Sequence, residues 1–184
     1  MKLFSAILLS LATLGAQAAP RAVDAARSEI SFSVKQMGVA VDGRFKRFEA
    51  QVDFDAARPE TSSAALSVDI ASVDAGSEEA DSTAVERAWL DKAGFPKATF
   101  KSSSVRALGP GKYEAKGLLT IKGKPREITV PFSAAGQAGG TTLLSGQFSI
   151  RRTDFGIGGG EWNEGDLVSN DVPVKFKLLL APAK

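Results

Sequence analysis

The segment spanning residues 113–132 constrains the fold most, because apolar and polar residues alternate along it on both sides of a short break. Period-two alternation is typical of a β-strand with one buried and one solvated face. The break at 122–125 predicts the turn of a β-hairpin, with Ile121 facing Ile128. The predicted apolar face comprises Tyr113, Ala115, Leu119, Ile121, Ile128, Val130 and Phe132.

The same alternation predicts strands along most of the chain. They lie at 27–38, 44–55, 64–73, 97–105, 144–150 and 172–180, which gives about eight long strands with the hairpin. Gly38 and residues 39–42 are expected to break the first strand. Phe45 and Phe48 have opposite parity, so a β-bulge near Lys46 and Arg47 is expected to return both to one face.

One segment changes period. Residues 77–93 are rich in Ala and Glu, with Val85 and Trp89 at helical spacing. Thr83 followed by Glu86 fits a capping box, and Gly94 fits a stop signal. The sequence therefore predicts one short helix.

Eight antiparallel strands stack as a sandwich or close into a barrel. Several predicted strands run to about ten residues, beyond the usual five or six, and this length favours a mainly β, eight-stranded antiparallel barrel. Such a barrel is wide enough to be filled by side chains or to hold one small ligand. The sequence leaves packed and hollow interiors open.

The first residues predict a secretory signal peptide over 1–18. Lys2 precedes an apolar stretch over 3–14, and Ala16-Gln17-Ala18 fits a cleavage site. Residues 19–184 are then expected to form a single domain in the periplasm.

Composition excludes several classes of function. The formal net charge is only +2, so the chain has no basic excess to hold nucleic acid. Histidine is absent, which removes the usual general base and the usual metal ligand. Cysteine is absent as well, so the fold depends on its core.

A search for catalytic and metal-binding motifs finds none that fits, which predicts no enzyme and no metal site. Glycines at 156–160 lack the following helix of a phosphate loop and are expected to form a bend. The acidic residues at 69–81 lack EF-hand spacing and are expected to form a solvated loop and helix start. Two carboxylate pairs could in principle serve glycoside hydrolysis, and Arg152 with Asp154 is expected to form a surface ion pair. The two carboxylate pairs are Asp53 with Asp55 and Glu161 with Glu164.

The aromatic stock is large, with eleven Phe, two Trp and one Tyr. Fully burying each such side chain contributes roughly 1.5–3 kcal/mol, so an ordinary core would explain them. A rigid, empty apolar cavity would be costly, and a hollow interior should be wetted, collapsed or occupied by an apolar guest.

Four stretches in this order resemble the YceI-like family of exported proteins: ISFSVKQMGVAVDGRFKRFEAQVDFD, GFPKATFKSSSV, GLLTIKGKPREITVPF and IRRTDFGIGGGEW. The resemblance spans residues 22–180. It implies a lipocalin-like eight-stranded barrel with a helical segment, and a long apolar pocket for polyisoprenoid or isoprenoid-quinone lipid. It also implies a periplasmic, non-enzymatic protein, in a family whose members often form homodimers. Many members carry histidines where this chain has Arg27-Ser28 and 35–37, so no histidine role carries over.

These observations lead to the hypothesis of a periplasmic protein that sequesters or carries an isoprenoid-type lipid, with no other cofactor. The alternative is a packed barrel that docks on a membrane electron-transfer partner, and transient contact with a membrane or a membrane protein is expected. Strand parity and family position select these pocket residues: Phe32, Val34, Met37, Phe45, Val68, Ile70, Trp89, Phe100, Leu119, Val130, Phe132, Phe148, Phe155 and Trp162.

Overall fold

The computed structural model describes residues 21–162 and 167–182, which form a mainly β structure. The predicted signal peptide and Glu164 lie outside these ranges. The described residues contain eleven strands and one α-helix, α1 (Glu78–Ala84), with several short 3-10 turns. The strands are β1 (Arg21–Ala22), β2 (Glu29–Gln36), β3 (Val39–Phe45), β4 (Phe48–Asp53), β5 (Ser63–Asp69), β6 (Val73–Asp74), β7 (Lys97–Gly109), β8 (Lys112–Ile121), β9 (Lys124–Gly136), β10 (Thr142–Arg151) and β11 (Asp171–Leu180).

All strands pair antiparallel in one sheet, in the order β1-β4-β5-β7-β8-β9-β10-β11-β2-β3-β6. The sheet curls so that its distant strands meet. Strand β1 pairs with β4, and the next residue, Val23, forms a bridge with Leu180 of β11. At the other edge, the Lys46 N–H donates to the Ser72 carbonyl at 3.0 Å and the Asp69 N–H donates to the Arg47 carbonyl at 3.1 Å. The curled sheet therefore has an enclosed inner face.

The strand count corrects the prediction of eight. Residues 39–45, expected to begin as a break, form a strand of their own, because the chain reverses within two residues at Met37 and Gly38. The two-residue strands β1 and β6 were not predicted. No bulge occurs at Lys46 and Arg47, where the chain instead leaves β3 and enters β4 across a corner. The register shifts lie in β7, between Ser102 and Ser104 and between Ala107 and Gly109.

Two ion pairs hold this corner. Asp74 pairs with Lys46 at 3.1 Å and Asp69 pairs with Arg47 at 2.9 Å. The hydrogen bond from Lys46 lowers the pKa of Asp74, and that from Arg47 lowers the pKa of Asp69. Exposed pairs of this kind contribute little to stability, because water and salt screen them.

The predicted hairpin is present as β8–β9, and its apolar face is inward. Its register differs by four residues from the prediction, because the turn contains only Lys122 and Gly123. Ile128 therefore lies opposite Gly117 instead of Ile121. Both turn residues have positive φ, at 48° and 67°, which is typical of a type I′ hairpin turn.

Helix α1 is shorter than the predicted 77–93. Its cap is the Ser77 hydroxyl, which accepts a hydrogen bond from the Ala80 N–H, and not Thr83 with Glu86. Beyond Ala84 the chain forms successive turns, with the Glu86 N–H donating to the Thr83 carbonyl. The capping sequence thus lies at the end of the helix instead of its start.

Three glycines lie beneath phenylalanine rings on the inner face. Phe32 lies opposite Gly43 and Phe176 lies opposite Gly146, while Phe100 covers Gly117 on the diagonal. A Cβ at Gly117 or Gly146 would approach the covering ring to 2.7 Å, which is too close for real contacts. Each ring therefore occupies space that exists only because the opposing residue has no side chain.

Candidate ligand-binding cavity

The inner face of the sheet encloses a cavity of about 660 Å³. Its walls are the alternate, inward-facing side chains of nine strands, with few polar groups among them. The interior is therefore hollow, and the sequence alternative of a packed barrel is wrong on this point. The volume lies within the range of roughly 300–1,000 Å³ that is usual for ligand pockets.

Most of the residues selected from the sequence line this cavity. They are Phe32, Val34, Phe45, Val68, Ile70, Trp89, Phe100, Leu119, Val130, Phe132, Phe148 and Trp162. Strand parity brought together those that lie in strands, because one correct inward residue fixes the direction of every second neighbour; Ile70, Trp89 and Trp162 lie outside the strands. Their contact with a ligand stays a prediction. The same parity could have added Phe54, Val174 and Phe176, which also line the cavity.

Met37 and Phe155, which the sequence also selected, do not line the cavity. Met37 occupies the first position of the β2–β3 turn, where its side chain is 70% exposed. Phe155 lies in a 3-10 turn after β10 and is fully buried against Leu119, Ile121 and Ile150. Neither residue lies within a strand, so strand parity gave no information about its direction.

One end of the cavity carries an aromatic cluster. The ring of Phe54 meets Tyr113 edge-on at 5.0 Å, and Tyr113 stacks on Phe132 at 5.4 Å. Leu144, Leu178 and other buried residues complete this cluster. Asp53 and the exposed Ser63, which pair across β4 and β5, line the cavity beside it, so this end combines an aromatic wall with a polar edge.

The opposite end is covered by the segment around α1 and by the loops near Trp162. Trp89 and Trp162 pack together with ring centroids 5.8 Å apart, and both line the cavity. Lining residues that are also exposed identify an opening between α1 and the β2–β3 hairpin. We call this opening the mouth, and it is formed by Gln36, Ser77, Glu79 and Thr83.

A buried guanidinium supports the wall beside the mouth. Arg152 is only 1% exposed, and its side chain lines the cavity. All five of its N–H groups donate to backbone carbonyls, and burial lowers its pKa. The acceptors are Ser169 at 3.1 Å, Ile157 at 2.9 Å, Gly158 at 2.8 Å, Val168 at 2.9 Å and Trp162. The guanidinium thus joins residues 157–162 to residues 167–169.

The predicted surface ion pair of Arg152 with Asp154 is wrong. The acceptors of Arg152 are main-chain carbonyls. Every residue has such a carbonyl, so the sequence does not show which ones Arg152 contacts. The glycine-rich segment at 156–160 was the one sequence feature that pointed to an unusual loop at this site, since Gly156, Gly158 and Gly160 all have positive φ. A Cβ at Gly158 would approach Arg152 Nη1 to 2.6 Å and the Trp89 ring to 2.9 Å. The expected glycine bend is confirmed, and it wraps around the guanidinium.

The acidic residues form no metal site among the described residues. Asp53 lies at the edge of the cavity, whereas Asp55 accepts hydrogen bonds from the Ala57 N–H and from Arg58. The Ala57 N–H is the main cause of the lowered pKa of Asp55. The side chain of Glu161 and all of Glu164 lie outside the described part of the chain. No helix among the described residues is long and apolar enough to cross a bilayer.

Known proteins share this architecture and sequence. A family model described as the YceI-like domain matches residues 22–180. A UPF0312 protein of Vibrio cholerae is 34% identical over 138 residues, covering 72% of this chain and 73% of the relative. The crystal structure of Burkholderia cenocepacia BcnA is 41% identical with a TM-score of 0.82, covering 85% of this chain and 98% of that chain.

A more distant structure has the same fold. A polyisoprenoid-binding domain from Saccharophagus degradans superimposes with a TM-score of 0.70 over 89% of this chain and 99% of that chain, at 16% identity. The family match spans nearly all of the described residues, including the strands and turns that build the cavity. The chain belongs to the YceI-like family.

Proposed function

We propose that this protein binds an amphiphilic lipid of the polyisoprenoid or isoprenoid-quinone type, with the apolar chain inside the cavity. The observation that carries the proposal is the cavity of about 660 Å³ walled by aliphatic and aromatic side chains. Burial of apolar surface supplies the driving force, and it needs no specific polar partner. The protein acts as a binding protein and not as an enzyme.

The energetics of the cavity favour an occupant. At about 24 cal/mol per Å³, a rigid and empty cavity of 660 Å³ would cost on the order of 15 kcal/mol. That cost is comparable to the whole free energy of unfolding of a typical domain, about 5–15 kcal/mol. An apolar chain would restore the dispersion contacts that the lining atoms otherwise lack.

The polar groups suggest the orientation of the lipid. Gln36, Ser77, Glu79 and Thr83 stand at the mouth, whereas the opposite end carries the aromatic cluster of Phe54, Tyr113 and Phe132. A lipid headgroup would therefore lie at the mouth, with the tail pointing toward the aromatic cluster. A few polar groups around an apolar pocket commonly fix orientation in this way.

The comparisons support the ligand class. The Saccharophagus degradans domain is named for polyisoprenoid binding, and it shares this fold. The predicted leader over 1–18 is consistent with action in the periplasm, where the protein would sequester its lipid or carry it.

Native mass spectrometry of protein purified from the periplasm of an exporting cell tests the proposal. We expect a complex whose added mass matches an isoprenoid lipid, and the same lipid in an organic extract. A bare protein mass, no extractable lipid and no uptake of labelled isoprenoid would overturn the proposal.

A matched pair of variants tests the location. Ala98→Trp places a large side chain in the cavity, whereas Ala135→Trp places it on the exposed face of β9. We expect the first variant to lose lipid and the second to retain it. Equal lipid content in two folded variants would show that the lipid binds elsewhere.

A further inference from the structure

The tip of the β2–β3 hairpin is exposed and uncharged. Residues 37–41 read Met-Gly-Val-Ala-Val, and Met37 and Val39 are 70% and 67% exposed. The Met37 N–H donates to the carbonyl of Leu167 at 2.7 Å, and Leu167 is also an exposed large apolar residue. We call Met37, Val39 and Leu167 the lip.

The backbone makes the choice of Met37 unusual. Its φ is 47°, in the left-handed region that glycine, asparagine and aspartate adopt most readily. A bulky apolar residue is disfavoured at this position for two reasons. Its backbone is strained, and its side chain lies in water. Strained residues of this kind concentrate at functional sites.

The lip continues the wall of the cavity. Val39 lies opposite Gln36 and two residues before Val41, so it faces the same side of the sheet as Val41. Gln36 and Val41 line the cavity, and Gln36 also bridges to the buried Val168, which lines it as well. Val41 and Val39 therefore continue the apolar wall of the cavity along one side of the polar mouth to the tip.

The charges around the lip limit what can cover it. Residues 36–41 carry none, and Lys35 and Asp42 flank them with opposite signs. Across the mouth, α1 presents Glu78 and Glu79, so the described residues around the opening form no basic patch for anionic headgroups. A short uncharged tip suits the acyl-headgroup boundary of a bilayer, where Lys35 can keep its ammonium in water.

We propose that the lip inserts shallowly into the phospholipid surface of a membrane, so that the mouth opens directly onto the lipid. This inference rests on the proposed function and names the surface through which the isoprenoid enters and leaves. The turn backbone still needs hydrogen-bond partners, so the tip stays at the interface and does not enter the hydrocarbon core. A second copy of the chain fits less well, because stable interfaces use about 20–30 residues on each side.

Flotation with neutral phosphatidylcholine vesicles tests the proposal. We expect the wild-type protein to float with the vesicles, with little change when salt is raised, since apolar contact drives the binding. The variant Met37→Asn/Val39→Thr suits the turn and the strand, so it should fold, and it should partition at least about tenfold more weakly.

Leu108→Asn/Leu118→Thr is the matched control. It removes two leucines that are 51% and 49% exposed but lie away from the mouth, and it should partition like the wild type. Binding of soluble labelled geranylgeraniol is measured in parallel without vesicles, and both double variants should retain the wild-type affinity. This second assay separates the lip from the cavity.

The outcomes are distinct. Wild-type flotation that the lip variant loses, with no isoprenoid binding by any protein, would support the lip and refute the proposed function. No wild-type flotation, or equal flotation of the lip variant, would overturn the lip proposal. A wild-type dimer that only the lip variant converts to monomer would also overturn it, in favour of a second copy as the occupant.

Discussion

The hairpins β8–β9 and β2–β3 turn in the same way but end in different surroundings. Each turn has two residues with positive φ, Lys122 with Gly123 and Met37 with Gly38. The Lys122 ammonium donates to the carbonyls of Arg87 and Gly156 at 2.9 Å and 2.8 Å, whereas the Met37 side chain is exposed. Backbone geometry thus fixes the reversal of the chain, and the side chain of the first turn residue decides whether the tip bonds to the rest of the protein. We call the β8–β9 tip, held by Lys122, the tied tip, and the β2–β3 tip, whose Met37 side chain is exposed, the free tip.

Removing the Arg152 guanidinium, which supports the β2–β3 hairpin through residues 167–169, should lower stability the most. Arg152→Leu leaves five carbonyls without their donor and releases residues 167–169, to which the β2–β3 hairpin is bonded. We expect the free energy of unfolding to fall by about 3 kcal/mol or more in urea denaturation. Arg152→Lys should recover only part of this, because an ammonium has fewer donors. Arg151→Leu, at an exposed neighbour, should be nearly neutral, and an equal loss there would refute the assigned role.

Substitutions on the two faces of the β8–β9 hairpin should give the second-largest difference in stability. Leu119 is 9% exposed and lines the cavity, while Leu118 is 49% exposed on the outer face. Leu119→Glu buries a charge without a partner, and we expect a loss of about 2–4 kcal/mol together with loss of isoprenoid uptake. Leu118→Glu should stay within about 0.5 kcal/mol and keep uptake. Similar behaviour of both variants in denaturation and uptake assays would contradict the assigned faces.

Giving the tied tip the side chain of the free tip should have an intermediate effect. Lys122→Met keeps a residue type that the other turn already holds at this φ, but it loses both hydrogen bonds to carbonyls. We expect a loss of about 1–2 kcal/mol, measured by thermal and urea unfolding. Lys124→Met serves as the control, since Lys124 makes no side-chain hydrogen bond within the described residues. Stability unchanged in Lys122→Met would mean that the tie contributes nothing.

Relieving the backbone strain at Met37 should change the free energy of unfolding the least, and it should raise it instead of lowering it. Met37→Asn suits the left-handed backbone, and we expect a gain of up to about 1 kcal/mol in the free energy of unfolding. Lys122→Asn relieves the same backbone cost but loses the two hydrogen bonds, so it should be destabilising overall. A destabilised Met37→Asn would show that the methionine has a packing role in the isolated protein.

Sequence patterns predicted the inner face because parity survives errors of register. The β8–β9 pairing was displaced by four residues, an even number, so Val130 and Phe132 still faced inward. The predicted register is displaced because the sequence pattern places Lys124 and Pro125 in the turn. Pro125 in fact lies within β9 opposite Thr120.

The end of the structure with the mouth was harder to predict because it is built from loops. Arg152 is held by carbonyls that turns present to it, and its burial follows from tertiary structure alone. The helical spacing predicts Trp89 on a helix, but Trp89 lies in the turns beyond α1. Period and propensity describe strands and helices, and neither describes how irregular segments surround a side chain.

The phenylalanine ring over Gly43 marks a position at which the volume of the cavity could change while the strands stay paired. A methyl group at Gly43 would first meet the Phe32 ring, and displacing that ring would alter the space inside the cavity. A methyl group at Gly117 or Gly146 would first meet a backbone carbonyl of the neighbouring strand, that of Lys101 or Pro131, and would disturb the sheet itself. The three glycines are therefore not equivalent, because one could adjust the size of the cavity and the other two preserve the strand pairing around it.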